Sequence, residues 1–219
     1  MITSSTFGLS LTLLELKTQL ASKPVHFNQR MLYHQNNKEE NREEIEGIIS
    51  LFDKESEINR KSSNLEMLKG LYLLRVDFAL DDAHEFIQYL PQDDPGVCYA
   101  HSLIHKLEGT NRGELGLTGF SNCGYWIGMM GTSNFPTYKD VAQYASTLRE
   151  KAFASNQSIC KFVDSNVGKE CTWDPNKFLT LCMHSMERSE EDSEAVAFCE
   201  MIVMKEWELL VDHAMKQLY

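Results

Sequence analysis

The strongest constraint in this chain is the return of apolar side chains at three- and four-residue steps, segment after segment. It is clearest over 191–217, where Ala195, Phe198, Cys199, Ile202, Val203, Leu209, Leu210 and Ala214 cover much of a helix's circumference. A period near 3.6 collects such residues on one side of an α-helix, and a stripe this wide needs neighbours on several sides. The pattern predicts a long, central C-terminal helix, anchored in part by Trp207.

The same period predicts helices at 9–21, 43–54, 64–76, 79–90, 95–108, 137–153 and 175–187, with a short one near 125–130. Asn64 is the expected N-cap of the third, whose stripe is Leu65, Leu68, Leu71, Tyr72 and Val76. Alternating strand-type runs of Val, Ile and Thr are missing, and no fixed-period repeat emerges. The expectation is therefore an all-α fold, an irregular helical bundle forming a single domain over 1–219.

Three stretches interrupt the pattern. The polar segment 22–42, with Pro24, reads as a mobile surface connection. Residues 109–124 carry Gly109, Gly113, Gly116, Gly119 and Gly124, too many glycines for a stable helix interior, and read as a long folded loop able to roof a site. A second long loop is expected at 155–173.

Charge narrows the partners. With 21 basic against 32 acidic side chains and a net charge of −11, the average field repels phosphate backbones and anionic membranes, and the chain has no Lys/Arg block. That excludes nucleic acid and membrane and leaves a small molecule or another protein. The six cysteines are scattered without a CxxC pair, as in a cytoplasmic protein with reduced thiols. The apolar stretch from Phe7 to Leu14 lacks a preceding positive charge and is closed by Glu15, so neither signal peptide nor membrane anchor is expected.

Chemistry concentrates on two consecutive helices. On 95–108, Cys98, His101, His105 and Glu108 follow at i, i+3, i+7 and i+10, along one stripe beside Ala100, Leu103, Ile104 and Leu107, with Ser102 and Lys106 on the far side. On 79–90, Asp81, His84 and Gln88 run beside an apolar stripe, with Glu85 adjacent. The short Pro91–Gly96 connection favours an antiparallel pair, enclosing a polar pocket at the edge of the core.

Two chemistries fit these residues. His101, His105 and His84 can hold a divalent metal, with Glu108 or Glu85 completing a nitrogen and oxygen site. Alternatively, one histidine and a carboxylate such as Glu108, Glu85 or Asp81 form a general acid/base pair acting on a small molecule. Against both stands a structural role, in which the histidines fasten two helices of a non-catalytic interaction module. Elsewhere, Cys123 in its Ser-Asn-Cys-Gly context is either a loop nucleophile or a buried thiol, Asn122, Tyr125 and Trp126 either line the pocket or pack, and His184 and His213 stand alone.

The motifs Ala83-His84-Glu85, Tyr99-Ala100-His101 through His105-Lys106, Glu108-Gly109, Ser121-Asn122 with Tyr125-Trp126, Trp173-Asp174-Pro175 with Phe178, and Glu206-Trp207-Glu208-Leu209-Leu210 resemble a family of small uncharacterised all-helical proteins of bacteria and fungi. The resemblance runs from about Leu68 onward and brings no established activity. It implies that His84, His101, His105, Glu108, Asn122, Tyr125 and Trp126 occupy recurrent positions. Where that family tends to carry two arginines after its Tyr-Trp pair and then a His-Pro, this chain has Gly128, Met129 and Asn134-Phe135-Pro136.

Overall fold

The computed structural model describes residues 4–23, 25, 27, 41–59, 62–76, 79–110, 117–131, 135–167, 172–188 and 192–218. Among them are ten helices: α1 (Ser4–Ala21), α2 (Arg42–Asn59), α3 (Ser63–Leu73), α4 (Leu80–Gln88), α5 (Pro95–Glu108), α6 (Gly119–Met130), α7 (Tyr138–Lys151), α8 (Gln157–Asn166), α9 (Pro175–Glu187) and α10 (Ser193–Lys216). The described residues contain no strand, so the fold is all-α. No described helix is long and apolar enough to cross a membrane. Most of the connection expected at 22–42 lies outside the described residues.

Local chemistry sets where the helices begin. Asp94 accepts from Gly96 N at 2.7 Å with Pro95 in the first turn, and Asp174 repeats the device ahead of Pro175 with bonds from Asn176 N and Lys177 N. Thr118, Asn156 and Asp192 cap α6, α8 and α10 through bonds from Ser121 N, Ile159 N and Ala195 N. Each satisfies a backbone donor that the first helical turn leaves open. For α3 the cap position is Ser62, which makes no side-chain capping bond, so Asn64 lies inside the first turn instead.

Helix α10 packs against α3, α5, α7, α8 and α9, the central role its apolar pattern predicts. Trp207 donates its ring N–H to Leu71 O at 2.6 Å, and Tyr72 sits edge-on to it while donating to Leu13 O at 2.7 Å, tying α10, α3 and α1 together. Helix α5 is the more enclosed of the two. Every residue from Gly96 to Glu108 is buried, because α3, α4, α6 and α10 surround it. Ser102 and Lys106, expected on an outer face, are fully buried, since no outer face remains.

Two expected loops are partly helical. Residues 119–124 form the first half of α6; within 109–124, residues 111–116 lie outside the description. Taken alone the glycines there disfavour a helix, but Gly119 serves close packing. An added Cβ would fall 2.4 Å from Glu108 Cβ and 2.5 Å from His105 O, so the start of α6 sits directly on the end of α5. Phe120 N donates to Gly109 O at 2.9 Å and Gly109 takes a positive φ of 63°, which lets the chain leave α5 there. Within 155–173, α8 buries Ile159, Phe162 and Val163, an i, i+3, i+4 stripe too short to stand out among polar neighbours.

A second close approach fixes α4. A Cβ on Gly70 would lie 2.6 Å from Ile87 Cγ1, so α3 and α4 touch backbone to side chain there. Gly119→Ala should cost roughly 1–3 kcal/mol by forcing α6 away from α5. Gly128→Ala, on the same helix with nothing within 4 Å of its added Cβ, should instead gain about 0.5–1 kcal/mol from reduced chain entropy. Urea unfolding of the two variants measures this opposition, and a shared sign would count against the seating of α6 on α5.

Candidate metal centre

The Asp94 cap and Pro95 set the start of α5, and His101 and His105, one turn apart, stack with centroids 5.0 Å apart at 15°. Helix α4, held by the Gly70 contact, carries His84 against both rings, at 4.8 Å from His101 and 5.2 Å from His105, edge-on to each. His84 Nε2 and His101 Nε2 are 2.9 Å apart. One donor atom from each of the three imidazoles falls within 4.8 Å of the others. His101 and His105 are buried, and His84 is the half-exposed member on the solvent side.

Neighbouring groups define the rings further. His105 Nδ1 lies 2.6 Å from Glu108 Oε2, both side chains nearly fully buried. Since a carboxylate accepts, Nδ1 carries the hydrogen and the Nε2 lone pair is left for the site. Trp126 of α6 stacks on His101 with centroids 3.9 Å apart at 16°, closing the face opposite His105. Helix α6 thus supplies cover on this side, while residues 111–116 of the loop expected to roof the site lie outside the described residues. Burial first, then the neighbouring His105 and His84, lowers the His101 pKa from 6.5 to about 3. His101 is neutral at physiological pH, the form in which imidazole ligates metals.

The geometry fits a small divalent ion. Metal–nitrogen bonds of about 2.0–2.1 Å at a tetrahedral angle place nitrogens about 3.3 Å apart. The present separations, from 2.9 Å to within 4.8 Å, bracket that value, so small rotations of the side chains suffice. Among the described residues this is the one group of three or more metal-capable side chains.

The remaining expected residues divide. Glu108 does not join that group, and its described place is behind His105 as an orienting partner. Glu85 is exposed and stands outside the group. Asn122 is half-buried, and Tyr125 is 61% exposed, edge-on to Trp126 at 5.2 Å, on the surface next to the cluster. Cys123 is inside α6 and fully buried, and burial pushes its thiol up to about 12, which rules out a thiolate nucleophile near neutral pH. His213 packs at a tilt on Phe135, and His184 is exposed on α9.

Sequence reasoning missed the group on the opposite side of α5. Lys106 Nζ meets Glu206 Oε2 at 2.6 Å with both side chains at 0% exposure, and Tyr99 donates to Glu206 Oε1 at 3.0 Å. Burial pulls the Lys106 ammonium down, while the facing Glu206 carboxylate and nearby groups lift it above its ordinary value overall, so it stays charged. The missed signal is Glu206 itself, a carboxylate flanked by the buried Val203, Trp207 and Leu210.

No protein-family model matches the chain, and neither a curated protein nor a solved structure does.

His101 also makes stability depend on pH. Its folded pKa lies below its unfolded one, so the unfolded chain binds the extra proton, and stability falls as pH drops from above 6.5 toward 3. In metal-free protein this amounts to about 2 kcal/mol between pH 7 and pH 5. Denaturant unfolding at both values should show a larger loss for the wild type than for His101→Gln. Equal losses would contradict a neutral, desolvated His101.

Proposed function

We propose that this protein binds a divalent transition metal through His84, His101 and His105, with at least one coordination position left for water or a small molecule. The reading rests on one observation above the others, the convergence of three imidazole donor atoms within 4.8 Å of one another. An all-imidazole donor set suits zinc, copper, iron or nickel better than calcium or magnesium.

The surrounding residues support the same reading. Glu108 on His105 reproduces the carboxylate–imidazole arrangement that fixes tautomer and ring orientation at metal sites. Trp126 excludes water from one face of His101, and low dielectric there strengthens attraction between ligands and cation. A metal held by three neutral imidazoles supplies a Lewis acid that lowers the pKa of bound water. Exposed Tyr125, edge-on to Trp126, and half-buried Asn122, one turn before Trp126 on α6, are the side chains proposed to meet a molecule arriving there.

The reading also gives a reason for the pattern by which the chain resembles a family of small helical proteins. Three ligands, the carboxylate that orients one of them and the indole that covers another form a single constellation, in which each member matters only with the rest.

Titration calorimetry of chelator-treated protein with Zn²⁺ tests the proposal. One ion should bind per chain, His84→Ala or His101→Ala should weaken binding more than about 100-fold, and Glu108→Gln should weaken it about 10- to 100-fold. Absence of stoichiometric binding, or affinity indifferent to these substitutions, would leave the histidines as a fastening between helices and favour a helical interaction module.

A further inference from the structure

A second site lies on other helices. Between α8, α9 and the start of α10 runs a cleft of about 420 Å³, within the range of small-molecule sites. Its rim carries Lys161, Lys177 and Arg188 with His184 beside them. In a chain of net charge −11, three cations gathered on one cleft oppose the overall trend. Among the described residues none of the three pairs with a carboxylate. Lys177 spends one donor on Ser165 O at 3.3 Å and keeps the others.

Among the described residues one acid lines the cleft, Asp192, and it is already engaged. Its Oδ1 accepts from Ala195 N at 3.0 Å, as the α10 cap, and from Asn156 Nδ2 at 2.8 Å. The hydroxyls of Ser165 and Thr180 donate to helical carbonyls, Phe162 O and Asn176 O, so they offer lone pairs rather than donors. Ser185 likewise donates to Cys182 O, which leaves the cations as the charged donors, with Ser158 and His184 as the remaining polar side chains of the lining. Beneath the cations, Phe162 and Leu181 make an apolar floor, and Phe162 is fixed edge-on against Trp173 and Phe198.

We infer that this cleft binds a small organic phosphate, a phosphomonoester whose dianion sits among Lys161, Lys177 and Arg188 and whose apolar body lies on Phe162 and Leu181. Three positive charges against one engaged carboxylate match a dianion better than a monoanion. Arg188 offers a planar pair of donors for two phosphate oxygens, and the lysines act as point charges. The apolar floor selects esters over inorganic phosphate. This site shares no residue with the histidine centre.

Phenyl phosphate is the probe, with inorganic phosphate and phenol as controls, in titrations followed by calorimetry and by NMR shifts of residues lining the cleft. The expected results are saturable binding of phenyl phosphate, weaker binding of inorganic phosphate, none of phenol, and a decline with added salt. The double variant Lys161→Gln/Arg188→Gln should weaken phenyl phosphate at least about tenfold while leaving the circular dichroism and the affinity for Zn²⁺ unchanged. Three results would overturn the assignment: no saturable binding, affinity unaltered in the double variant, or loss of binding in His101→Ala, which would place the phosphate at the histidines. Inorganic phosphate binding as tightly as the ester would overturn the role of the apolar floor.

Discussion

Helix α5 has no side facing water, and that enclosure governs much of the molecule around it. A helix buried all round must seek partners for its polar side chains within the protein, because an unpaired one costs about 1–3 kcal/mol and an unpaired charge more; among those of α5, His101 Nδ1 is left without one. Ser102 turns back to Tyr99 O, Lys106 reaches Glu206, His105 reaches Glu108, and His101 meets His84. Two of these pairings, those of Lys106 and His101, also fix a neighbouring helix. Glu206 ties α10 to α5 through both Lys106 and Tyr99, His84 ties α4, and α6 is seated on Glu108 and His105 by the absence of a side chain at Gly119.

From this enclosure the character of the histidine cluster follows. His101 is held neutral by burial and by its two imidazole neighbours, clamped between His105 and Trp126, and limited in the directions it can turn. His84, on the more exposed α4, completes the group from outside. Rigid, desolvated rings on packed helices are the condition under which nitrogen donors keep a common point of aim. The same packing leaves Cys123 without a route to ionisation, so the nucleophile suggested by its sequence context is chemically silent.

The sequence revealed most where a physical signal spans many residues. The all-α class and the central place of α10 follow from repeated apolar periods, whereas spacing plus a short connection allows His84 to meet His101 or His105 and leaves their distance open until the helices are packed. It misled where one residue answers to a partner far along the chain. Gly119 disfavours a helix taken alone, and its use becomes visible only with α5 beneath it. Lys106 reads as an outer residue until Glu206, 100 positions away, is brought against it. Of the three cations of the α8–α9–α10 cleft, Lys161 is on α8, in a stretch whose sequence reads as loop, Lys177 is on α9 and Arg188 is its C-cap, so no short window of sequence displays them together.

The functional reading requires that three imidazoles from two packed helices aim at one metal ion. Crystals of the protein soaked with Zn²⁺ and measured at the zinc absorption edge test it most directly. One strong anomalous peak is expected, with His84, His101 and His105 nitrogens at about 2.0–2.1 Å and Glu108 still bonded to His105. Absence of a peak, or a peak elsewhere with the three rings each hydrogen-bonded to protein groups, would contradict it.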